Sequence, residues 1–267
     1  MKEVGIFSWY GFILPFAERI RMIQEVGFIG TSLWWEDEEA PFPLQKEKMP
    51  TLVRERGLKI DNFHMHWCDS DGLWAEDKER RNRVIQQHLR CLEDCSRYES
   101  PLFVMHLCDE ENPQSPNQIG VDSLGEIAKR GEALGVKIAV ENTRRIDYIS
   151  YTLENINSPW LGFCFDSSHY HLTEKNNYSF LKKFGERIFT THLSDNDGKV
   201  DQHWLPGHGI IDWEKLGEIF PKSYEGFLTL EVYPTPSERE GEPQDFLEKA
   251  YKSIIRIKSI FKGSSNK

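Results

Sequence analysis

The sequence has no apolar stretch approaching the roughly 20 residues that span a bilayer. Its opening, MKEVGIFSWYGF, lacks a basic segment followed by a sustained apolar core and a small-residue cleavage site. Both absences lead us to expect a cytoplasmic protein with no membrane partner. The chain also lacks CxxC pairs. Its five cysteines, Cys68, Cys91, Cys95, Cys108 and Cys164, are odd in number, which argues against a disulfide framework and a zinc knuckle alike. Reduced, mostly buried thiols are expected. No GxGxxG follows the first strand pattern, so the fingerprint of a dinucleotide fold is missing. Basic charge is in deficit: 33 Lys and Arg against 43 Asp and Glu leave a net charge of −10. That balance repels a polyanion and disfavours duplex nucleic acid as a partner. No linker, low-complexity tract or charge block divides the chain into two domains.

What the chain does have is rhythm. At 267 residues, with 39% hydrophobic and 28% charged side chains, it has the composition of an ordinary globular protein. Short β-rich runs alternate with amphipathic helical patterns throughout. Strands are expected at 3–9, 30–36, 58–66, 101–107, 136–142, 161–167, 188–194 and 226–233. Helical patterns between them include PFAERIRMIQEVGF, RRNRVIQQHLRCLEDCSRYE, VDSLGEIAKRGEALG, DWEKLGEIFPKSY and QDFLEKAYKSIIRIKSIF. Parallel strands need crossover helices, and eight such units in about 250 residues is the size of a (β/α)₈ barrel, an α/β fold with its active site at the C-terminal strand ends. We therefore expect a single TIM barrel over residues 1–263 and a disordered tail at 264–267. A doubly wound open sheet is the alternative.

Acidic and imidazole side chains recur where these strand patterns end: His64 in LKIDNFHMH, His106 in PLFVMHLC, Glu141 in VKIAVEN, Asp166 in LGFCFDSSH, His192 in IFTTHLSD and Glu231 in FLTLEVY. One carboxylate at a strand end is usually a surface or loop-anchoring residue. Glu141, Asp166, His192 and Glu231 end four consecutive patterns, and barrel closure would bring them together. Three carboxylates and an imidazole make a mainly oxygen-donor site for Mn²⁺, Zn²⁺, Mg²⁺ or Co²⁺. Crowded without a cation, at least one carboxylate should take a proton. His169, three residues after Asp166, and the Asp201/His203 pair form a second group; with His64 and His106 they are candidates for further ligands or substrate contacts. His64 and His66 share strand parity, and alignment with a strand ending at its first histidine favours His64. Trp34, Trp35, Trp67, Trp74 and Trp204 lie in or beside strand-end loops, where they either stack on substrate or pack the loops. Trp9 and Trp213 read as core or structural residues.

The series His64, His106, Glu141, DSSH (Asp166 to His169), His192, DQH (Asp201 to His203) and Glu231 resembles the xylose-isomerase-like TIM-barrel superfamily over nearly the whole chain. Its most specific part is HLSDNDGKVDQHWLPGHGIIDW followed by LTLEVY. The LPGxGxIDW stretch looks most like bacterial sugar-phosphate isomerase/epimerase-like members. The resemblance implies two branches. In ketose 3-epimerase-like members, the residues matching Glu141, Asp166, His192 and Glu231 bind one divalent ion, and the two glutamates also move protons. The histidine matching His169 contacts substrate there, and we expect His64, His106, Trp34 and Trp67 to do so as well. In endonuclease IV, all nine matching positions hold a three-zinc cluster that attacks a phosphodiester. The loops WWEDEEAPF, WCDSDGLW and DEENPQ are acidic and aromatic, which favours a small sugar over DNA. The expected function is metal-dependent sugar isomerisation or epimerisation, with a metal-dependent carbohydrate-binding, lyase or hydrolase barrel as a further alternative. The sugar, its phosphorylation, the metal and its count, and homo-oligomerisation stay open.

Overall fold

The structure, a computed structural model, describes residues 2–66, 68–109, 113–175 and 177–263. The proposed tail at 264–267 and the indole of Trp67 lie outside the described residues. Eight parallel strands form one sheet: β1 (Val4–Phe7), β2 (Gly30–Trp35), β3 (Lys59–Met65), β4 (Leu102–Met105), β5 (Lys137–Glu141), β6 (Leu161–Asp166), β7 (Ile188–His192) and β8 (Leu228–Leu230). Their order is β7-β6-β5-β4-β3-β2-β1-β8, with β1 hydrogen-bonded to both β2 and β8. The sheet therefore curls into a nearly closed barrel, which replaces the open-sheet alternative. β7 and β8 meet across the remaining seam through the bridge Leu193↔Leu230.

Helices alternate with the strands: α1 (Phe16–Val26), α2 (Met49–Glu55), α3 (Lys78–Arg97), α4 (Gln118–Leu134), α5 (Ile146–Asn155), α6 (Ser167–Glu174), α7 (Ser179–Phe184), α8 (Trp213–Ile219), α9 (Pro236–Arg239) and α10 (Pro243–Gly263). Local chemistry fixes their ends. Asp77 caps α3 by accepting from the backbone N–H groups of Glu79 and Arg80, and Asn117 caps α4 through Gly120 N–H. Gly27 and Gly135 close α1 and α4 in the left-handed conformation. The apolar faces of the helices pack on the outside of the barrel and form the main core, where Ile20, Leu92, Leu124 and Ile254 are fully buried. A separate cluster of Leu102, Val104, Ala139 and Cys164 shares the parity of His106, Glu141 and Asp166 and so fills the barrel interior beneath them. All five cysteines are free, and all but Cys68 are buried.

Two irregularities decide which side chains reach the interior. Between β2 and β3 the register passes from Thr31↔Ile60 to Leu33↔Phe63, so β3 carries one extra residue. Asp61 and His64, three positions apart, then both face inward, while Phe63 stacks on the core residue Trp35 with centroids 3.9 Å apart. A similar shift, from Phe163↔Ile188 to Cys164↔Thr190, turns Thr190 and His192 inward on β7.

Candidate metal centre and active site

The strand ends bring Glu141, Asp166, His192 and Glu231 to one point. One donor atom from each lies within 4.8 Å of all the others. Glu141, Asp166 and His192 are buried, and the Glu231 side chain is 13% exposed. His192 Nδ1 lies 3.0 Å from Glu141 Oε2 and 3.1 Å from Glu231 Oε2. Those contacts are close but not aligned as hydrogen bonds, because Nδ1 has no hydrogen-bond partner. Asp166 Oδ2 likewise has none. Buried polar atoms that approach one another without bonding are poorly satisfied unless a shared ion sits between them. The donor set of three carboxylates and one imidazole fits a divalent cation on chemical grounds too.

The sequence positions each donor for a local reason. Asp166 is the N-cap of α6: its Oδ1 accepts from His169 N–H at 2.6 Å, which leaves Oδ2 for the centre. The three-residue spacing of DSSH is thus a capping spacing, and it sets His169 on the first turn of α6. Asn142, next to Glu141, accepts from Asp166 N–H and donates to Asp166 O, both at 2.8 Å, so its side chain extends the β5–β6 pairing and fixes the two carboxylates relative to each other.

A second tier surrounds the four. His64 Nε2 lies 3.0 Å from Glu141 Oε2, its Nδ1 bonding Met65 O at 2.8 Å. His106, one residue past β4, lies 3.6 Å from Glu141 and bonds Asp109 at 2.7 Å. Asp201 Oδ2 bridges His169 Nε2 at 2.8 Å and His203 Nε2 at 3.0 Å. All nine expected residues therefore converge. His66 does not: it turns into a small side pocket beside Cys68 and Asp109.

Electrostatics follow the geometry. Burial, joined by the carboxylates of Glu141, Asp201 and Glu231, pushes Asp166 up to about 7, against the pull of His169. Burial opposes ionisation of Glu141, yet His192, His106 and His169 hold it well below the usual carboxylate range. In return, burial of His106 and His203 is outweighed by their carboxylate neighbours, which raise each to about 9.

The loop carrying Asp201 and His203 is organised by Asp195. Its Oδ1 accepts from the N–H groups of Asn196 (3.0 Å) and Ile211 (3.1 Å), and its Oδ2 from Gly207 N–H (2.8 Å) and Trp213 Nε1–H (2.9 Å). The LPGHGIIDW stretch is the set of donors that this buried carboxylate gathers. Gly209 is required there: a Cβ would lie 2.3 Å from both Asn196 O and Asp195 Oδ1. His203 itself has φ 52°, an unusual backbone for a residue with a side chain, and its ring nitrogen Nδ1 lies 3.1 Å from Glu231 O.

Above the centre opens a cavity of about 1360 Å³. Glu141, Glu231, His64, His106, His169, Asp201 and His203 line it, whereas Asp166 and His192 lie below its floor. Trp34 also lines it, stacked on His64 with centroids 4.8 Å apart. Sequence reasoning placed the acidic loop WWEDEEAPF beside the site but missed Trp9, Arg144 and Arg145 as wall residues. Trp9, expected to be a core or structural residue, is 38% exposed and lines the cavity, held against the buried Arg19 guanidinium at 5.1 Å. Glu36 to Glu39 form the wall after β2, and Arg144 and Arg145 the wall after β5. Trp35 and Trp74 are fully buried packing residues, and Trp213 is in the core as expected.

A family model described as xylose isomerase-like TIM barrel matches residues 20–250. The chain belongs to that family. Among curated relatives, it is 24% identical over 250 residues to fructoselysine 3-epimerase of Escherichia coli O157:H7, covering 86% of this chain and 90% of that protein. It is 29% identical over 133 residues to the uncharacterized protein y4fM of Sinorhizobium fredii, of whose length the match spans 42%. A crystal structure of the IOLI protein with a bound zinc atom superposes with a TM-score of 0.76 at 17% identity, covering 97% of this chain and 99% of that one. At that identity the likeness concerns the fold. Among the described residues no helix is long and apolar enough to cross a membrane.

Proposed function

We propose that this protein is a divalent-metal-dependent sugar isomerase or epimerase that moves a proton on a carbon next to a carbonyl. The observation that carries the reading is the split within the centre: of the four residues that could hold an ion, Glu141 and Glu231 also border the cavity, while Asp166 and His192 lie beneath it. Of those four, only the two glutamates would touch both ion and substrate. Mn²⁺ or Zn²⁺ suits the donor set best, and a bound ion supplies Lewis acidity to a substrate oxygen. The remaining work belongs to side chains. One glutamate removes the proton and the other returns it, on the opposite face for epimerisation. His169, anchored by Asp201, orients substrate hydroxyls, with His64 and His106 on the adjoining wall. Trp34 offers an aromatic face to the sugar's C–H surface. The match to fructoselysine 3-epimerase over most of both chains supports a ketose substrate, and the absence of a glycine-rich phosphate cradle favours an unphosphorylated one. The cavity exceeds the usual range of about 300–1,000 Å³ for ligand pockets, which leaves room for a sugar bearing a substituent. The test is turnover of a ketose panel in deuterium oxide: label should enter at the carbon whose configuration changes, and should be lost in the Glu141→Gln and Glu231→Gln variants.

One observation favours a second reading. The nine residues fall into three neighbouring groups, centred on His64/His106 beside Glu141, on the four-residue centre, and on His169/Asp201/His203, the arrangement a three-metal phosphoesterase would need. Against it stand the acidic wall of Glu36, Asp37, Glu38 and Glu39 and the net charge of −10. Metal stoichiometry separates the readings, one ion per chain for the sugar enzyme and three for the nuclease.

A further inference from the structure

The seam between β7 and β8 is thinly paired. Leu193 N–H donates to Thr229 O at 2.8 Å and Glu231 N–H to Leu193 O at 3.3 Å. Below them the Thr191 hydroxyl substitutes for backbone pairing: it accepts from Thr229 N–H at 3.1 Å and donates to Phe227 O at 3.2 Å. His192 and Glu231 stand on opposite sides of this seam. Two residues beneath each, on the same inward faces, are Thr190 and Thr229, and both reach across the barrel to Asp61 on β3. Asp61 Oδ2 accepts from Thr190 Oγ1 at 2.7 Å, Thr229 Oγ1 at 2.8 Å and Asn62 Nδ2 at 2.9 Å, with Ser32 Oγ at 3.4 Å. Asp61 is 5% exposed and its four partners are fully buried.

A carboxylate in a barrel interior is costly to bury, and convergent donors are what make it tolerable. A small apolar residue would fill the space without that cost, as Val104 and Ala139 do nearby. The carboxylate instead makes a link that no apolar side chain makes, joining the strand of His64 to the two strands whose own pairing is weakest. We propose that Asp61 is a positioning residue, a clasp across the β7–β8 seam that sets the separation of His192 and Glu231 and thereby the fit of the centre to its ion. This rests on the metal reading given above.

The test is Co²⁺ binding, followed by the visible absorption of the bound ion and by titration, with Asp166→Ala as the control that removes a donor. Asp61→Leu keeps the bulk and removes the oxygen on which all four donors converge. It should weaken Co²⁺ binding about 10- to 100-fold, the usual effect of losing a partner that orients a ligand, and should shift the cobalt bands. Combining Thr190→Val with Thr229→Val should do the same, and decides the matter if the Asp61 variant does not fold. Thr190→Ser and Thr229→Ser, which keep the hydroxyls, should restore wild-type affinity and bands. Wild-type cobalt affinity and bands in the valine and leucine variants, even with a lowered melting temperature, would make Asp61 a structural plug and overturn the proposal while leaving the proposed function standing. A wild-type protein that takes up no Co²⁺ at this centre would overturn both.

Discussion

Replacing Asp195 by Asn tests the loop architecture most directly, because the two side chains differ by one atom. The carboxylate accepts four hydrogen bonds, two on each oxygen, from Asn196, Ile211, Gly207 and Trp213. An amide in the same place keeps one oxygen and turns an –NH₂ group toward the other two donors, whichever way it is flipped. Two buried donors then lose their acceptor, and at about 1–3 kcal/mol each the expected loss is about 2–6 kcal/mol. Total stabilities are about 5–15 kcal/mol, so the variant should fold but be seriously weakened. Urea unfolding should show a lower midpoint at unchanged slope. Amide exchange should show residues 196–211 losing protection ahead of the barrel strands, since the segment can open locally. Because Asp201 and His203 ride on this segment, turnover should fall as well. A variant within 1 kcal/mol of wild type, with the loop still protected, would refute the claim that Asp195 organises it.

The other expectations are as follows. Glu231→Gln should lower turnover by about 10²- to 10⁴-fold, the usual worth of a general acid or base, yet weaken metal binding less than Asp166→Ala, since the amide keeps an oxygen donor; near-normal turnover removes Glu231 from proton transfer. Metal-loaded protein should leave an abasic-site duplex intact at physiological salt beside an active control nuclease, and incision lost in Glu141→Ala would reverse the assignment. Burial pushes His88 down to about 4, against the upward pull of its bond to Val84 O. A histidine whose folded pKa lies below its unfolded value of about 6.5 gives stability that is complete above that pH and lost as pH falls toward 4, here about 3 kcal/mol. Urea midpoints between pH 7 and 4 should therefore drop less in His88→Leu than in wild type, and parallel profiles would dismiss the effect.

Alternation of short apolar runs with amphipathic helices made all eight strands legible, and the recurrence of ligand-type residues at their ends marked the centre, because both are repeated local patterns. What escaped depended on breaks in pattern or on tertiary placement. The extra residue in β3 is invisible to a strict two-residue period, so Asp61 in LKIDNFH reads as an ordinary polar position although the bulge turns it inward. The seam between β7 and β8 follows from how the circle closes, which no single segment encodes. Trp9 looks like a core or structural residue by composition; its exposure follows from where the loop after β1 runs, over Arg19 and beside the wall after β2. Parity alone also could not separate His64 from His66, which share it until the strand ends at Met65.

The two walls of the cavity mouth are unequal in charge. Glu36, Asp37 and Glu39 lie in the wall after β2 and Arg144 and Arg145 in the wall after β5, three strands further round the barrel. A field runs across the opening, and a dipolar solute is turned by it before touching any side chain. Capture of a cationic sugar derivative by this chain of net charge −10 should therefore slow with rising ionic strength, as screening shortens to about 8 Å at physiological salt, whereas a neutral sugar should enter at a rate indifferent to it.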